Sequence, residues 1–476
     1  MSESGRGLLA NASSLFFGRL GIALMGWAGT VLIVRTLDQD QFGQFAFVFS
    51  LLGMMTIFTD MGIGRLAITG VLDKNQDQAR FAGTYIILRT MLGGVGYLMS
   101  ILFVVVANYP GSVVRATAIG GLSLLISTPS AAYNVAFQAH MRLQTVAISG
   151  VIGQAAQLAV TVAIAVRGGT LLLFVIPPVI AEVVMLGFKL PRARRLIPFH
   201  YVVDLQIWKG LAREAIPLSL GGALSTISFR IDAVMLSKLD TFEAVGAYSV
   251  AYKFADLARF ASTALTVPIL TVLAKAWPDD LDRYRQTIRQ GAIYLSFVGG
   301  LLLMEMLLFA EPVIRLLYGN DYAFAGDAAR ILVGSTTVVF FTGLAFNSLV
   351  AADKHRWYPL VTFIGLSSNV LINLVLIPRY SFEGAAVATL VTEVVVMSML
   401  WWILMRIPGL GPIGLGFLPR VVVAGAGAYA VGAVADQVTP WPIAATFAGT
   451  AYLGIAHVLR TTGPRGLKSL TEDRLT

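Results

Sequence analysis

The sequence predicts an all-α polytopic membrane protein of about fourteen transmembrane helices: two parallel six-helix lobes followed by two extra C-terminal helices. Three observations predict it. Of 476 residues, 57% are hydrophobic and only 13% charged, with a mean hydropathy of +0.76, whereas a soluble chain carries about 25% charged residues. The apolar residues fall in blocks of about 20 or more, enough to cross a ~30 Å hydrocarbon core at 1.5 Å per residue. The second half of the chain also repeats motifs of the first, in the same order.

The apolar blocks lie near 12–36, 42–68, 80–107, 112–137, 145–166, 169–190, 212–238, 242–270, 285–310, 325–351, 357–377, 383–406, 417–436 and 440–460. The opening MSESGRGLLANASS has no basic region leading into a short apolar core and cleavage site, so the first block reads as a retained helix. Pro129, Pro177-Pro178, Pro268 and Gly299-Gly300 interrupt the fourth, sixth, eighth and ninth blocks and are expected to soften them, although kinks also occur in static membrane helices. The longest polar interval, about 191–213, is too short to hold a core. The domain plan is therefore an N-terminal lobe at 1–190, a cytoplasmic linker at 191–211 and a C-terminal lobe at 212–406. Two further spans at 407–460 and a cytoplasmic tail at 461–476 complete it.

Basic residues orient the spans. With the N-terminus inside, inner loops and tails hold 22 Lys and Arg, the outer loops hold 7, and six remain inside spans. Both termini are thus expected in the cytoplasm. The net charge of +9 then follows from topology and needs no nucleic-acid partner. The chain has no cysteine, which excludes disulfides, thiolate metal sites and cysteine nucleophiles. Its four histidines (His140, His200, His355, His457) lack metal-ligand spacing.

The internal repeat is an ordered series. VRTLDQDQFGQFAFV (34–48) matches SKLDTFEAVGAYSV (237–250), with Leu37-Asp38 opposite Leu239-Asp240 and Gly43 opposite Gly246. Tyr109 falls opposite Tyr322, Asn134 opposite Asn347, Ala139 opposite Ala352, and Glu182 opposite Glu393. The offsets run from 202 to 213 residues, six helices each. An even number of helices preserves orientation, so the halves are parallel repeats about an axis along the membrane normal. Two such lobes can enclose a cavity open to either side, which is a transporter architecture.

Three stretches carry a family resemblance. Arg35, Leu37, Gly43-Gln44-Phe45 and Asp60-Met61-Gly62 resemble the opening signature of the polysaccharide flippase family. FRIDAVMLSKL (229–239) and LLYGNDYAFAGDAARIL (316–332) resemble its seventh span and the outer loop between spans nine and ten. The resemblance covers spans one to twelve and implies the multidrug/oligosaccharidyl-lipid/polysaccharide (MOP) exporter superfamily, in its Wzx-type branch. It implies a flippase, not an enzyme, acting in surface polysaccharide biosynthesis in the bacterial cytoplasmic (inner) membrane. Its substrate would be a polyprenyl-pyrophosphate-linked oligosaccharide moved to the outer leaflet by alternating access. It further implies a monomeric transport unit, polysaccharide polymerase or assembly proteins as neighbours, no cofactor, and coupling to an H+ or Na+ gradient or the membrane potential. The related lipid II flippases also have fourteen spans, the last two forming a groove for the lipid tail.

The candidate site residues are the intramembrane charges. Arg19, Arg89, Arg230, Lys253 and Arg259 form the expected substrate-binding set, a ladder of cations that keeps a pyrophosphate near a counter-charge. Arg65 lies at a span end and can snorkel. A charge at the bilayer centre costs ~2.5–3.5 kcal/mol on insertion scales, so these residues face a cavity or a partner. Arg grips phosphate with two parallel hydrogen bonds, while Lys acts as a point charge. Asp60, Asp232, Asp256 and Glu305 are the supporting or coupling acids. Asp256 stands three residues from both Lys253 and Arg259, so the trio also reads as a helix-locking network. Arg230 and Asp232 point about 200° apart and need separate partners. Glu305 has no basic neighbour at helical spacing, which suits reversible protonation or a partner from another helix. Glu311 and Arg315 read as a surface pair.

Two other classes compete. A drug or cation antiporter of the same superfamily would show mainly acidic and aromatic cavity residues. A membrane glycosyltransferase, polymerase or ligase would need a long outer loop with acidic residues, and no outer loop much exceeds a dozen residues. No GxxxxGK[ST] phosphate loop is present for ATP-driven transport.

Overall fold

The computed structural model describes residues 3–60, 62–73, 77–414 and 416–459, without the side chains of 3–17, 19, 20, 60, 65, 216–218, 260–265 and 267. Every apolar block of the sequence is helical. Among the described residues the ordered structure is α-helix with two short 3-10 turns, and nine helices are long and apolar enough to cross a membrane. In hydrocarbon a helix satisfies all its own backbone groups, which is why hydropathy locates these elements so closely.

Several spans are broken where single residues demand it. The second runs as Gln39–Met55, Ile57–Asp60 and Ile63–Leu72, not as one helix over 42–68. The break falls at Gly62, whose φ of 73° lies in the left-handed region open to glycine. That accounts for the glycine of the Asp-x-Gly motif. In the sixth span, Pro177 and Pro178 open the helix Ile176–Arg194, where a missing N–H costs nothing. They start a helix there and do not soften one. The ninth span, Leu281–Tyr318, leaves helical geometry at Phe309, three residues before Pro312. The eleventh and twelfth spans form the run Tyr358–Met405, which reverses at Ser381 with φ 54° and ψ −137°.

By packing, the chain divides into two compact units, Met1–Gly246 and Ala247–Thr476. In the first, a core of Ile63, Tyr85, Ile86, Phe137, Ile197 and Leu211 joins the second, third and fourth spans to the seventh helix, Leu205–Leu239. The 191–211 segment is part of this core and no free tether. Ile197 is fully buried, His200 N–H donates to the Ala79 carbonyl at 3.0 Å, and Thr84 Oγ1 donates to the Val202 carbonyl at 2.8 Å. Asp204 caps the seventh helix by accepting from the N–H groups of Gln206 and Ile207, and Arg80 pairs with it at 2.8 Å. The Ile207 N–H first, then the Gln206 N–H and Arg80, hold the Asp204 carboxyl below the usual carboxylate range.

At the opposite end of this unit, Tyr109 ties the third span to the seventh. Its hydroxyl meets Ser237 Oγ at 2.7 Å, Lys238 Nζ sits 3.7 Å from its ring centroid, and Phe47 stacks on it at 4.6 Å. Burial pushes its hydroxyl pKa above the usual tyrosine value, opposed by the Ser237 hydrogen bond.

In the second unit, Tyr284, Leu295, Phe340, Leu344, Leu400 and Leu404 pack the ninth, tenth and twelfth spans. The last two spans, Leu418–Val438 and Trp441–Val458, dock on the ninth through Met304, Phe309, Ala424, Ala428, Ala448 and Tyr452. Tyr452 closes this contact by donating its O–H to the Phe297 carbonyl at 2.9 Å. The glycine- and alanine-rich composition of this pair is thus the means of close approach.

The repeat glycines have the same purpose. A Cβ on Gly43 would stand 1.7 Å from the Phe242 carbonyl oxygen, and one on Gly246 would stand 3.3 Å from the Gln39 carbonyl and 3.5 Å from Gly43 N. The two motif glycines therefore abut, and Gly43 leaves no room for a methyl group. Gly43→Ala is expected to cost about 1–3 kcal/mol by overpacking against backbone, and Gly246→Ala distinctly less. Melting temperatures in detergent check the order; equal values would show that the contact does not hold the helices together.

Candidate functional site

The helix Phe242–Ala276 carries the densest set of intramembrane charges. At 100° per residue, Tyr248, Tyr252, Ala255 and Arg259 share one face, Asp256 lies about 60° round from Arg259, and Lys253 about 60° further. Tyr248, Tyr252 and Ala255 are 3%, 7% and 1% exposed, so this face is the packed one. It meets the twelfth span, where Tyr248 Oη and Thr389 Oγ1 are 3.2 Å apart. Glu393, one turn beyond Thr389, acts electrostatically on Arg259.

Arg259 is therefore a held base. Its Nη1 donates to Tyr252 Oη at 2.7 Å, its guanidinium carbon lies 5.0 Å from the Tyr252 ring centroid, and Asp256 Oδ1 is 3.9 Å away. Asp256 is the more exposed partner, 44% against 19% for Arg259. Lys253 is half-buried at the outer edge of the same arc. The predicted trio occupies one arc, Asp256 stands beside Arg259, and Glu393 joins the group. Two bases and two acids make up the group.

The first unit holds three of the other predicted residues. Arg89 is 5% exposed within the third span, Gln78–Val106. Arg230 is exposed and its Nε would touch a Cβ on Gly53 at 3.2 Å, so Gly53 lets the guanidinium lie across the second span. Asp232 is 2% exposed, and the pair diverges as their spacing requires. Arg19 and Asp60 lie outside the residues whose side chains are described. Glu305 lies on the ninth span. Its Oε1 would be 3.2 Å from a Cβ on Gly449, which aims the carboxylate at the fourteenth span. Arg315 Nη2 donates to Glu311 Oε1 in an exposed pair. Among the described residues no His, Cys, Asp and Glu group is placed to hold a metal ion.

Sequence reasoning missed Lys189. Counted with the inner loops, it is 5% exposed, its Nζ lies 3.4 Å from Asn134 Oδ1, and it interacts electrostatically with Glu182 two turns earlier. The seven-residue spacing from Glu182 was the available signal. In each unit the glutamate of the repeat motif, Glu182 or Glu393, thus acts on a base.

Each unit holds bases that can pair with an anionic group: in the first an exposed guanidinium at Arg230, in the second a half-buried ammonium at Lys253 and a guanidinium at Arg259 held by tyrosine and carboxylate. Carboxylate partners keep such bases charged in low dielectric, at the cost of competing with any anionic ligand.

Comparison with known proteins agrees with this architecture. The family model described as "Polysaccharide biosynthesis protein" matches residues 8–273, more than half of the chain, and the MatE model matches residues 217–375. A capsular polysaccharide biosynthesis protein, CapF of Staphylococcus aureus, is 22% identical over 44% of this chain and 54% of its own length. A probable low-salt glycan biosynthesis flippase, Agl15 of Haloferax volcanii, is 22% identical over 80% of each chain. An uncharacterized membrane protein of Methanocaldococcus jannaschii aligns over 48% of its length, so the chain spans about half the length of two of these curated relatives. Among solved structures, the lipid II flippase MurJ in an inward closed conformation superposes with a TM-score of 0.73 at 14% identity, over 93% of this chain and 98% of that one. An inward-facing multidrug resistance MATE transporter of the MOP superfamily superposes with a TM-score of 0.68 at 13% identity, over 82% and 95%. With fourteen helical blocks, ordered repeats and a family model over more than half its length, the chain belongs to the polysaccharide biosynthesis protein family and has the MOP transporter fold.

Proposed function

We propose that this protein is a flippase that carries a polyprenyl-pyrophosphate-linked oligosaccharide from the cytoplasmic to the outer leaflet for surface polysaccharide biosynthesis. The observation that carries the reading is the set of bases kept inside membrane-spanning helices, Arg89, Arg230, Lys253 and Arg259, in a chain of this family. A bilayer tolerates such residues only where they meet partners or line a polar path, and a pyrophosphate is the anion that would use them. The names of CapF and Agl15, both tied to glycan biosynthesis, support the same substrate class.

In this reading the protein lies in the bacterial inner membrane with both termini cytoplasmic, as the distribution of Lys and Arg favours. Arg230, as an exposed base, and Lys253 and Arg259 with Asp256 are the groups that would contact the headgroup. Substrate exchange for Asp256 and Glu393 on Arg259 makes binding reversible. Arg19 would extend the ladder, and Glu305 and Asp60 are candidate groups for coupling to H+, Na+ or the membrane potential. Polymerase or assembly proteins would act on the exported lipid-linked glycan. A drug or cation antiporter is the second reading, favoured by the MatE match over residues 217–375.

Depletion of the protein is expected to leave lipid-linked sugar intermediates in the inner leaflet. Unchanged intermediates with altered drug sensitivity would favour the antiporter. Arg230→Ala or Lys253→Ala should lower export roughly tenfold or more, the scale of a lost charged hydrogen bond, with normal insertion and melting temperature. Full export by both would make the bases structural. Tyr252→Phe, which removes the acceptor for Arg259 and keeps the ring, should lower export by a smaller factor than Arg259→Gln. An equal loss would mean that Tyr252 acts on something other than Arg259.

A further inference from the structure

In the second unit, the start of the eleventh span and the end of the twelfth enclose a groove of about 480 Å³. Trp357, Leu360 and Val361 form one wall, and Met399, Trp402 and Ile403 the other. Each set recurs at three- and four-residue intervals, so two helical stripes face one another. Ile407 and Pro408 continue the groove past the helix end. Three of the wall residues remain exposed: Trp402 is 57%, Leu360 48% and Trp357 46% accessible.

The chemistry changes along the groove. Its apolar length runs from Met399 to Ile403, on the side of the twelfth span, and its mouth carries Lys354 and Arg406, both exposed. The guanidinium of Arg406 lies 3.8 Å from the Trp402 ring centroid, which fixes the charge at the edge of the apolar wall. Among the described residues no carboxylate lines the groove. The nearest acid in sequence, Asp353, turns its side chain to solvent and lies 3.7 Å from His355 Nδ1. Tryptophan at a membrane boundary beside lysine and arginine is the arrangement that anchors a protein at headgroup level. Here the same residues surround a concavity lined mostly by apolar side chains.

We propose that this groove is a binding site for an anionic membrane phospholipid, its phosphate between Lys354 and Arg406 and one acyl chain between Trp357, Leu360, Met399 and Trp402. Charge complementarity selects this occupant: two cations at the mouth, no lining acid, and an apolar length behind them. A zwitterionic lipid would gain the same apolar contact without the net attraction. The site would place a resident lipid against the paired eleventh and twelfth spans, on a surface of one unit.

The test uses the purified full chain in detergent, with phosphatidylglycerol and phosphatidylcholine as probes and lipid retention read by native mass spectrometry. Phosphatidylglycerol is expected to be retained over phosphatidylcholine and to be released as salt rises. Lys354→Gln with Arg406→Gln should weaken its retention roughly fivefold per base, whereas Lys354→Arg with Arg406→Lys should preserve it. The salt titration of the unaltered chain keeps the test decisive if the double variant does not fold. Equal retention of the two lipids, salt-independent retention, or unchanged retention by the Gln variant would overturn the proposal. So would displacement of phosphatidylglycerol by an equimolar polyprenyl phosphate, which would make the groove an entrance for a transported lipid. None of these readings requires glycan export, so the site stands or falls apart from the transport function.

Discussion

A charge inside hydrocarbon has to be answered, and much of this structure follows from how its charges are answered. Insertion scales put a lone central base at ~2.5–3.5 kcal/mol, so each base has a specific environment. Arg259 receives Tyr252, Asp256 and Glu393. Lys189 receives Asn134 and Glu182. Arg230 lies over Gly53 and stays exposed. These solutions differ in what they leave for a ligand. A base enclosed by a tyrosine and two carboxylates is positioned at a cost in availability, while an exposed guanidinium over a glycine is available at once.

The second constraint is close approach. Helices in a bilayer gain little from burying apolar surface against one another, and contact between them depends on packing small residues. Gly43 and Gly246 bring backbone against backbone at one end of the first unit. In the second unit, Ala424, Ala428 and Ala448 dock the last two spans on the ninth, close to where Glu305 faces Gly449. Glycine thus determines where two helices touch and, at Gly53 and Gly449, where a charged side chain can lie.

How legible this was in the sequence depended on range. All fourteen apolar blocks proved helical, because hydropathy and the bilayer enforce the same rule at every position. The arc shared by Lys253, Asp256 and Arg259 was legible too, since it needs only the 100° turn of one helix. Glu393 could not be joined to Arg259 that way, because the twelfth span brings it there. Nor could the 191–211 segment be read as packed, since its partners Ala79 and Thr84 lie more than a hundred residues earlier. Lys189 was misplaced for a simpler reason: standing one residue from the span end drawn at 190, it was counted with the inner loop, although it is buried. The Asp-x-Gly motif was visible as a pattern, and its cause, a left-handed Gly62 that breaks the second span, needed the backbone.

In the proposed function, intramembrane bases recognise a pyrophosphate and carry it between leaflets. Reconstitution into liposomes tests it most directly, with a polyprenyl-pyrophosphate oligosaccharide in one leaflet and its arrival in the other measured against time. Leaflet exchange is expected of the unaltered chain, with its loss in a chain with both Arg230→Ala and Lys253→Ala, and little exchange of an uncharged polyprenyl glycan. Equal exchange of the charged and uncharged lipids, or undiminished exchange by the double variant, would contradict it.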